Sequence, residues 1–170
     1  MRHGPAEEHA DSGMDSDRAL TVSGRERVRS VAKFLHDLDE EPLEIVTSPL
    51  VRAVQTAEIV ALVTKLSDRE GSVSVRRELS PGGGGGPSLV ANLASAGSKR
   101  VMIVGHEPDL SELIAALLSK ASRTVLASFD KAMVVALHVG PEGAHSHSRL
   151  RFVLDPRALK LAPDERGTAP

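Results

Sequence analysis

Apolar residues recur along this chain in short blocks whose period switches between that of a helix and that of a strand. Val28, Val31, Ala32, Leu35 and Leu38 repeat at three- and four-residue intervals and predict a first helix of about four turns. Ser23-Gly24-Arg25-Glu26 at its start has the spacing of a capping box. Leu43 to Val46 is a brief apolar run stopped by Ser48-Pro49, which predicts a strand, and a nearly all-apolar helix follows from Leu50 to Leu66. Val73 and Val75 alternate with serines in another short strand. Ser88 is placed to cap a third helix through Leu89, Val90, Leu93 and Ala94, closed by Gly97. Val101-Met102-Ile103-Val104 is apolar at every position, the pattern of a central strand covered on both faces. Pro108 and Asp109 open a fourth helix carrying Leu110, Leu113, Ile114, Leu117 and Leu118, and strands at Met133 to Val139 and Leu150 to Leu154 complete the order. This alternation predicts an α/β fold: a three-layer sandwich with a mostly parallel central sheet and helices on both faces. A single domain is expected over residues 1–161, with 162–170 as a disordered tail.

Composition narrows the function. At 170 residues the chain supports one well-buried core. Hydrophobic residues are 41% and charged residues 26%, as in an ordinary globular protein. With three Phe and no Trp or Tyr, the core is aliphatic and the stacking platforms of single-strand nucleic-acid binders are missing. A formal charge of −2 gives no general attraction to polyanions, so no nucleic-acid partner is expected. No apolar run approaches the roughly 20 residues that span a bilayer, and the opening residues lack a signal-peptide core; the expected location is the cytoplasm, with no membrane partner. The absence of cysteine removes disulfides, cysteine-nucleophile phosphatases and the thiolates of most structural zinc sites. There is also no Gly-x-x-x-x-Gly-Lys-Ser/Thr phosphate loop.

Three strand-to-helix turns carry the chemistry. Arg2-His3-Gly4 precedes the first helix, Ser48-Pro49-Leu50-Val51-Arg52 follows the predicted strand Leu43 to Val46, and Gly105-His106-Glu107-Pro108 follows the central strand. Taken singly, each has a plain reading: Arg2 a solvated terminus, Arg52 a surface charge, His106 a satisfied buried histidine. In an open α/β sheet, however, ligands bind beyond the C-terminal strand ends, where these turns converge and helix N-termini add amide donors for an anion. Arg2 and Arg52 would clamp phosphate oxygens, with His106 as a third donor. The guanidinium groups would lower the pKa of His3, leaving an unprotonated imidazole whose second nitrogen is expected to be pinned by a hydrogen bond to a backbone carbonyl. Gly4 and Ser48, in the same turns, are expected to contact substrate. Such a set can carry a phosphoryl group on His3 and pass it to water; no metal and no cofactor is expected.

These residues resemble a known family. Arg2-His3-Gly4, Ser48-Pro49-x-x-Arg52-Ala53-x-Gln55-Thr56-Ala57 and Gly105-His106-x-Pro108 look like the motifs of the histidine phosphatase superfamily. Arg18-Ala19-Leu20-Thr21-x-x-Gly24, Glu78-Leu79-Ser80-Pro81 and Asp155-Pro156-x-x-Leu159 are similar to landmarks of its small SixA-type phosphohistidine phosphatases. The resemblance implies a phosphoglycerate mutase-like fold, His3 as the phosphorylated nucleophile, Arg2 and Arg52 as phosphate ligands, His106 as transition-state stabiliser and Arg18 as a further phosphate or substrate contact. The implied partner is a histidine-phosphorylated signalling or phosphotransfer protein, such as a phosphotransfer domain.

Two departures from that pattern stand out. Larger relatives carry a glutamate general acid after the third strand, whereas Leu79-Ser80-Pro81 offers no carboxylate; Glu7, Glu8 and Asp109 are substitutes to weigh. A missing acid favours a P–N substrate, because imidazole is a far less basic leaving group than an alkoxide. The short stretch from Leu79 to Arg100 also implies an open site suited to a protein surface. The second departure is that the family places a hydrophobic strand before Arg-His-Gly. The expectation is therefore that the protein begins several residues upstream, with Met1 inside that strand's last turn and the first strand truncated in this chain. A phosphoester hydrolase acting on a small metabolite, and a non-catalytic phosphohistidine-binding module, remain as alternatives. Elsewhere, Pro81 and Pro87 bracket Gly82 to Gly86, read as a flexible surface loop in preference to a phosphate nest, and His145 and His147 flank Ser146 in a turn read as solvated in preference to metal-binding.

Overall fold

In the computed structural model of the protein, the described residues are 1–118, 129–140, 148–157 and 160–162. The elements run α1 (Val22–Asp37), β1 (Glu44–Thr47), α2 (Val51–Val63), β2 (Ser72–Val75), α3 (Gly86–Ser95), β3 (Val101–Val104), α4 (Asp109–Leu117), β4 (Val134–His138), β5 (Arg149–Asp155) and β6 (Lys160–Ala162). β1 pairs in parallel with β2 on one side and β3 on the other, giving the order β2-β1-β3. β4-β5-β6 form an antiparallel set. The expected α/β architecture with a parallel central sheet is thus present, and an antiparallel half continues it.

Alternation along the strands builds the three layers. Ile45, Met102 and Val104 pack with α1 (Val28, Val31, Ala32, Leu35) and α2 (Ala53, Ala57, Val60). Their neighbours Val46, Val101 and Ile103 join the clusters formed by Leu89 and Val90 of α3 and Leu110, Leu113, Ile114 and Leu117 of α4. Successive side chains of a strand point to opposite faces, so β3 is apolar throughout because helices cover both sides.

Local details differ from expectation for identifiable reasons. The N-cap of α1 is Thr21, whose hydroxyl accepts the Gly24 amide at 2.9 Å. Thr21 has the extended backbone a cap requires, whereas Ser23 is already helical, so the Ser23–Glu26 box is not used. α3 starts before Ser88, with Pro87 in its first turn, where a missing amide proton is harmless. The glycine run is a packed turn: Gly82 and Gly84 take positive φ, Gly82 donates to both Asp109 carboxylate oxygens at 3.2 and 3.0 Å, and a Cβ on Gly83 would sit 2.7 Å from the Glu78 carbonyl oxygen. Ala162 closes β6, and residues 163–170 of the expected tail lie outside the described residues, as do His145, His147 and Leu159.

The two halves of the sheet meet through residues 1–3. Met1 accepts from the Gly105 amide at 3.2 Å, and His3 donates to the Gly105 carbonyl at 3.1 Å, in a parallel bridge of Arg2 with Gly105. On the other side Arg2 donates to the Met133 carbonyl, and the His3 carbonyl accepts from Ala132, both at 3.1 Å. This segment lies in the sheet between β3 and β4. The terminal amino group of Met1 donates to the Ile103 carbonyl at 2.7 Å, and a cavity of about 200 Å³ lies between β3 and β4, lined by Met1, Ile103, Leu110, Val135, Leu137 and Phe152 among others.

The chain leaves this segment through a tight crossing over α1. A Cβ on Gly4 would meet Val28 Cγ2 at 2.7 Å, and one on Gly24 would lie 2.0 Å from the Pro5 carbonyl oxygen. Close approach, and not positive φ, is therefore what these glycines provide. An alanine inside a helix ordinarily stabilises it by about 1 kcal/mol relative to glycine. Gly24→Ala should reverse that sign and cost about 1–3 kcal/mol in urea denaturation; a variant as stable as the wild type would contradict the contact.

Candidate active site

The parallel strands deliver three turns to one place. Residues 1–3 end at His3, β1 runs into Ser48, and β3 runs into Gly105-His106, with the Ser48 amide donating to the Val104 carbonyl at 3.0 Å to keep the last two in step. Arg52 lies in the first turn of α2. His3, Ser48, Arg52 and His106 are all buried, unusual for such polar groups unless they are partnered or reserved for a ligand.

His3 is held in one tautomer. Its Nδ1 lies 2.7 Å from the Gly4 carbonyl oxygen, which can only accept, so Nδ1 carries the proton and Nε2 keeps its lone pair. The Gly4 amide donates to Thr56 Oγ1 at 3.0 Å, and that hydroxyl donates to the Arg52 carbonyl at 2.7 Å. Thr56 thereby ties the His3 turn to α2. Gln55, its neighbour, accepts the Leu20 amide at 2.8 Å and anchors the stretch leading into α1. The His3 ring faces that of His106, with centroids 5.0 Å apart and planes inclined at 51°.

His106 Nε2 lies 2.8 Å from Ser48 Oγ. Ser48 Oγ also accepts the Leu50 amide at 3.4 Å, and with one proton and a second lone pair it can either donate to His106 Nε2 or accept from it. His106 Nδ1 is buried with no hydrogen-bond partner among the described residues. Burial lowers the pKa of His3 to about 3, reinforced by the charges of His106, Arg52 and Arg2 against the opposing Gly4 bond. Burial likewise lowers His106 to about 4, assisted by Arg52 and Arg2 and opposed by Asp109 and Asp15. Both rings are neutral at physiological pH.

The arginines also carry unused donors. Arg2 Nη1 donates to the Phe129 carbonyl at 2.8 Å, while its Nε is buried without a partner among the described residues. Arg52 donates from Nη1 to the Asp15 carbonyl at 2.7 Å and from Nη2 to Asp15 Oδ2 at 2.9 Å, and its Nε is likewise unpartnered. Arg18 pairs with Asp15, from Nε at 2.8 Å and Nη2 at 2.7 Å, and donates to the Glu7 carbonyl at 2.9 Å. Neither Thr56 nor Asp15 had been given a role from the sequence. Thr56 lay within a quoted motif, but nothing in the spacing linked Asp15 to Arg52, 37 residues away.

One expectation needs correction. A cavity of about 200 Å³ beside His106 is lined by Glu78, Asp109 and Glu112 together with Leu79, Pro87 and Leu113. Carboxylates do stand beside His106: Glu78, in the 3₁₀ turn Arg77–Leu79, lines this cavity together with Asp109 and Glu112 of α4. Among the described residues no three His, Cys, Asp or Glu side chains group as a metal site would require, and no helix is long and apolar enough to cross a membrane.

The α/β fold gathers two buried, neutral histidines and two arginines with unpartnered Nε atoms at its C-terminal strand ends. Residues 1–72 match the model of the histidine phosphatase superfamily (branch 1). Phosphohistidine phosphatase SixA of Escherichia coli (strain K12) is 34% identical over 119 residues, covering 69% of this chain and 71% of that protein. An uncharacterized protein of Picosynechococcus sp. is 34% identical over 163 residues, 94% of this chain and 96% of its own. A solved structure of the protein histidine phosphatase SixA complexed with tungstate superposes with a TM-score of 0.81 at 28% identity, covering 94% and 97% of the two chains. The chain belongs to the histidine phosphatase superfamily and is similar to its SixA members.

The depressed histidine pKa values make a stability prediction. Unfolded histidine titrates near 6.5, whereas His3 and His106 do so at about 3 and about 4 when folded. Between those values the unfolded chain binds protons that the native rings refuse, so stability is complete above pH 6.5 and falls as pH drops through the window. From pH 6.5 to about 5 the effect reports imidazoles, because ordinary carboxylates titrate lower. The urea midpoint should decline over that interval, and less steeply in a His3→Asn, His106→Asn double variant; equal slopes would contradict the burial of neutral rings.

Proposed function

We propose that this protein is a phosphohistidine phosphatase that removes the phosphoryl group from a histidine-phosphorylated signalling or phosphotransfer protein in the cytoplasm, through a covalent phosphohistidine on His3. The observation that carries this reading is the tautomer of His3: Nδ1 is pinned to the Gly4 carbonyl, leaving Nε2 unprotonated beside His106 and the arginines. The 34% identity to a named phosphohistidine phosphatase supports the substrate class.

The steps balance as follows. His3 Nε2 attacks phosphorus while the P–N bond to the substrate ring breaks. The substrate imidazole leaves neutral when its other nitrogen already carries a proton, so the departing nitrogen needs no acid. The unpartnered Nε–H groups of Arg2 and Arg52 receive the charge on the equatorial oxygens, joined by His106 through Nδ1–H in the tautomer whose Nε2 accepts from Ser48. Water then attacks the phosphorus on His3, releasing inorganic phosphate and restoring the free imidazole. Each step is written without a metal ion.

A second reading has its own observation. Glu78 and Asp109 line the cavity beside His106, and a carboxylic acid there would protonate an alkoxide, suiting a small phosphoester. Turnover of a phosphohistidine protein compared with aryl and sugar phosphates separates the two, and a strong preference for the esters would displace the first reading.

The intermediate is tested by quenching turnover in alkali, because a phosphoramidate survives base and is lost in acid. With a 32P-labelled phosphohistidine protein as substrate, wild type should show base-stable, acid-labile label and His3→Ala none, with a chelator making no difference. Label persisting in the alanine variant, or vanishing with the chelator, would overturn the mechanism.

A further inference from the structure

The chemistry above leaves one buried contact unexplained: the pairing of Asp15 with Arg52. Asp15 lies in a 3₁₀ turn, Asp15–Asp17, with a side chain 63% exposed, while the Arg52 side chain it touches is only 5% exposed. Two oxygens of Asp15, its carbonyl and its Oδ2, take Nη1 and Nη2 of the guanidinium. Those two nitrogens form the end edge of the planar group. The side edge, made of Nε–H and the second Nη2 proton, is left over, and Nε is buried with no partner among the described residues. A tetrahedral oxyanion can be gripped by two parallel hydrogen bonds along that side edge while Asp15 keeps the end.

Asp15 is itself held. Its Oδ1 accepts from Arg18 Nε and Nη2, and Arg18 reaches on to the Glu7 carbonyl, so Arg18, Asp15 and Arg52 form one chain from the surface into the site. The hydrogen bond from Arg52 keeps the Asp15 carboxyl below the usual carboxylate range, so it stays ionised. A buried guanidinium with no oxyanion bound would otherwise lack a counter-charge between turnovers.

We propose that Asp15, braced by Arg18, is a positioning residue that clamps the end of the Arg52 guanidinium and turns its Nε edge toward the phosphoryl oxygens. This rests on the reading of Arg52 as a phosphoryl ligand. It gives Arg18 a task at one remove from the substrate and makes the loop ending in Asp17 part of the oxyanion site.

The test is tungstate binding by calorimetry, together with kcat and KM on a phosphohistidine protein, for Asp15→Ala, Asp15→Asn, Arg18→Ala, Arg52→Ala and Asp15→Ala in the Arg52→Ala background. Asp15→Ala should weaken tungstate binding and lower kcat by about tenfold to a hundredfold in protein that still unfolds in one cooperative transition. Asp15→Asn and Arg18→Ala should show smaller losses in the same direction. In the Arg52→Ala background, losing Asp15 should add no more than about twofold. Unchanged tungstate affinity in Asp15→Ala would overturn the proposal, and tighter binding would do so by showing that Asp15 competes with the oxyanion. A loss that persists in full without Arg52 would reduce Asp15 to a structural residue and overturn it as well. If Arg52→Ala alone leaves tungstate binding intact, the oxyanion site itself is misread and both proposals fall; if it abolishes binding while Asp15→Ala does not, only the clamp fails.

Discussion

Three residues of backbone hold this molecule together where it matters. Met1 to His3 lie between β3 and β4, bonded to Gly105 on one side and to Ala132 and Met133 on the other. Without those bonds the parallel and antiparallel halves of the sheet have no ladder in common among the described residues. The same bonds set the position of the His3 backbone, and a buried imidazole positions no better than the chain that carries it. Structure and chemistry therefore depend on a single short segment.

A second constraint is electrostatic. The site gathers two imidazoles and two guanidinium groups in a small buried volume, a concentration of potential positive charge that would be unstable if every group were protonated. Burial resolves this by keeping both histidines neutral, so the cationic charge resides on Arg2 and Arg52 alone. Asp15 offsets part of it at the far edge of Arg52. The remaining imbalance is local and directional: Nε donors on Arg2 and Arg52, and Nδ1 of His106, have no partner among the described residues, which an oxyanion would relieve. The dipoles of the turns at the starts of α2 and α4 add to it.

Carboxylates on the His106 side weaken one argument for the P–N substrate. The stretch Leu79-Ser80-Pro81 is empty of acids, yet Glu78 and Asp109 share a cavity with His106, and Asp109 is fixed there by the Gly82 amide. The case for a phosphohistidine substrate thus rests on similarity to SixA, no longer on the lack of an acid, while the His3 tautomer supports a histidine nucleophile for either substrate. The glycine turn also has a clear task as the bracket that holds α4 against the third strand's exit.

Much of the fold was readable in order along the chain. The period of Val28, Val31, Ala32 and Leu35 marks a helix, and the unbroken apolar run of β3 marks a doubly covered strand, because local geometry converts side-chain spacing directly into faces. Arg2, His3, Arg52 and His106 could likewise be picked out, since each ends or follows such an element at a turn. What no local pattern contains is distance between segments far apart in sequence. That Asp15 meets Arg52, that Thr56 buttresses Gly4, that Glu78 lines a cavity with His106, and that residues 1–3 bridge the two halves of the sheet are all products of packing. Hydrophobic periodicity specifies which face is buried; only the closed chain decides which polar groups are trapped together behind it, because that depends on where every other element has already been placed.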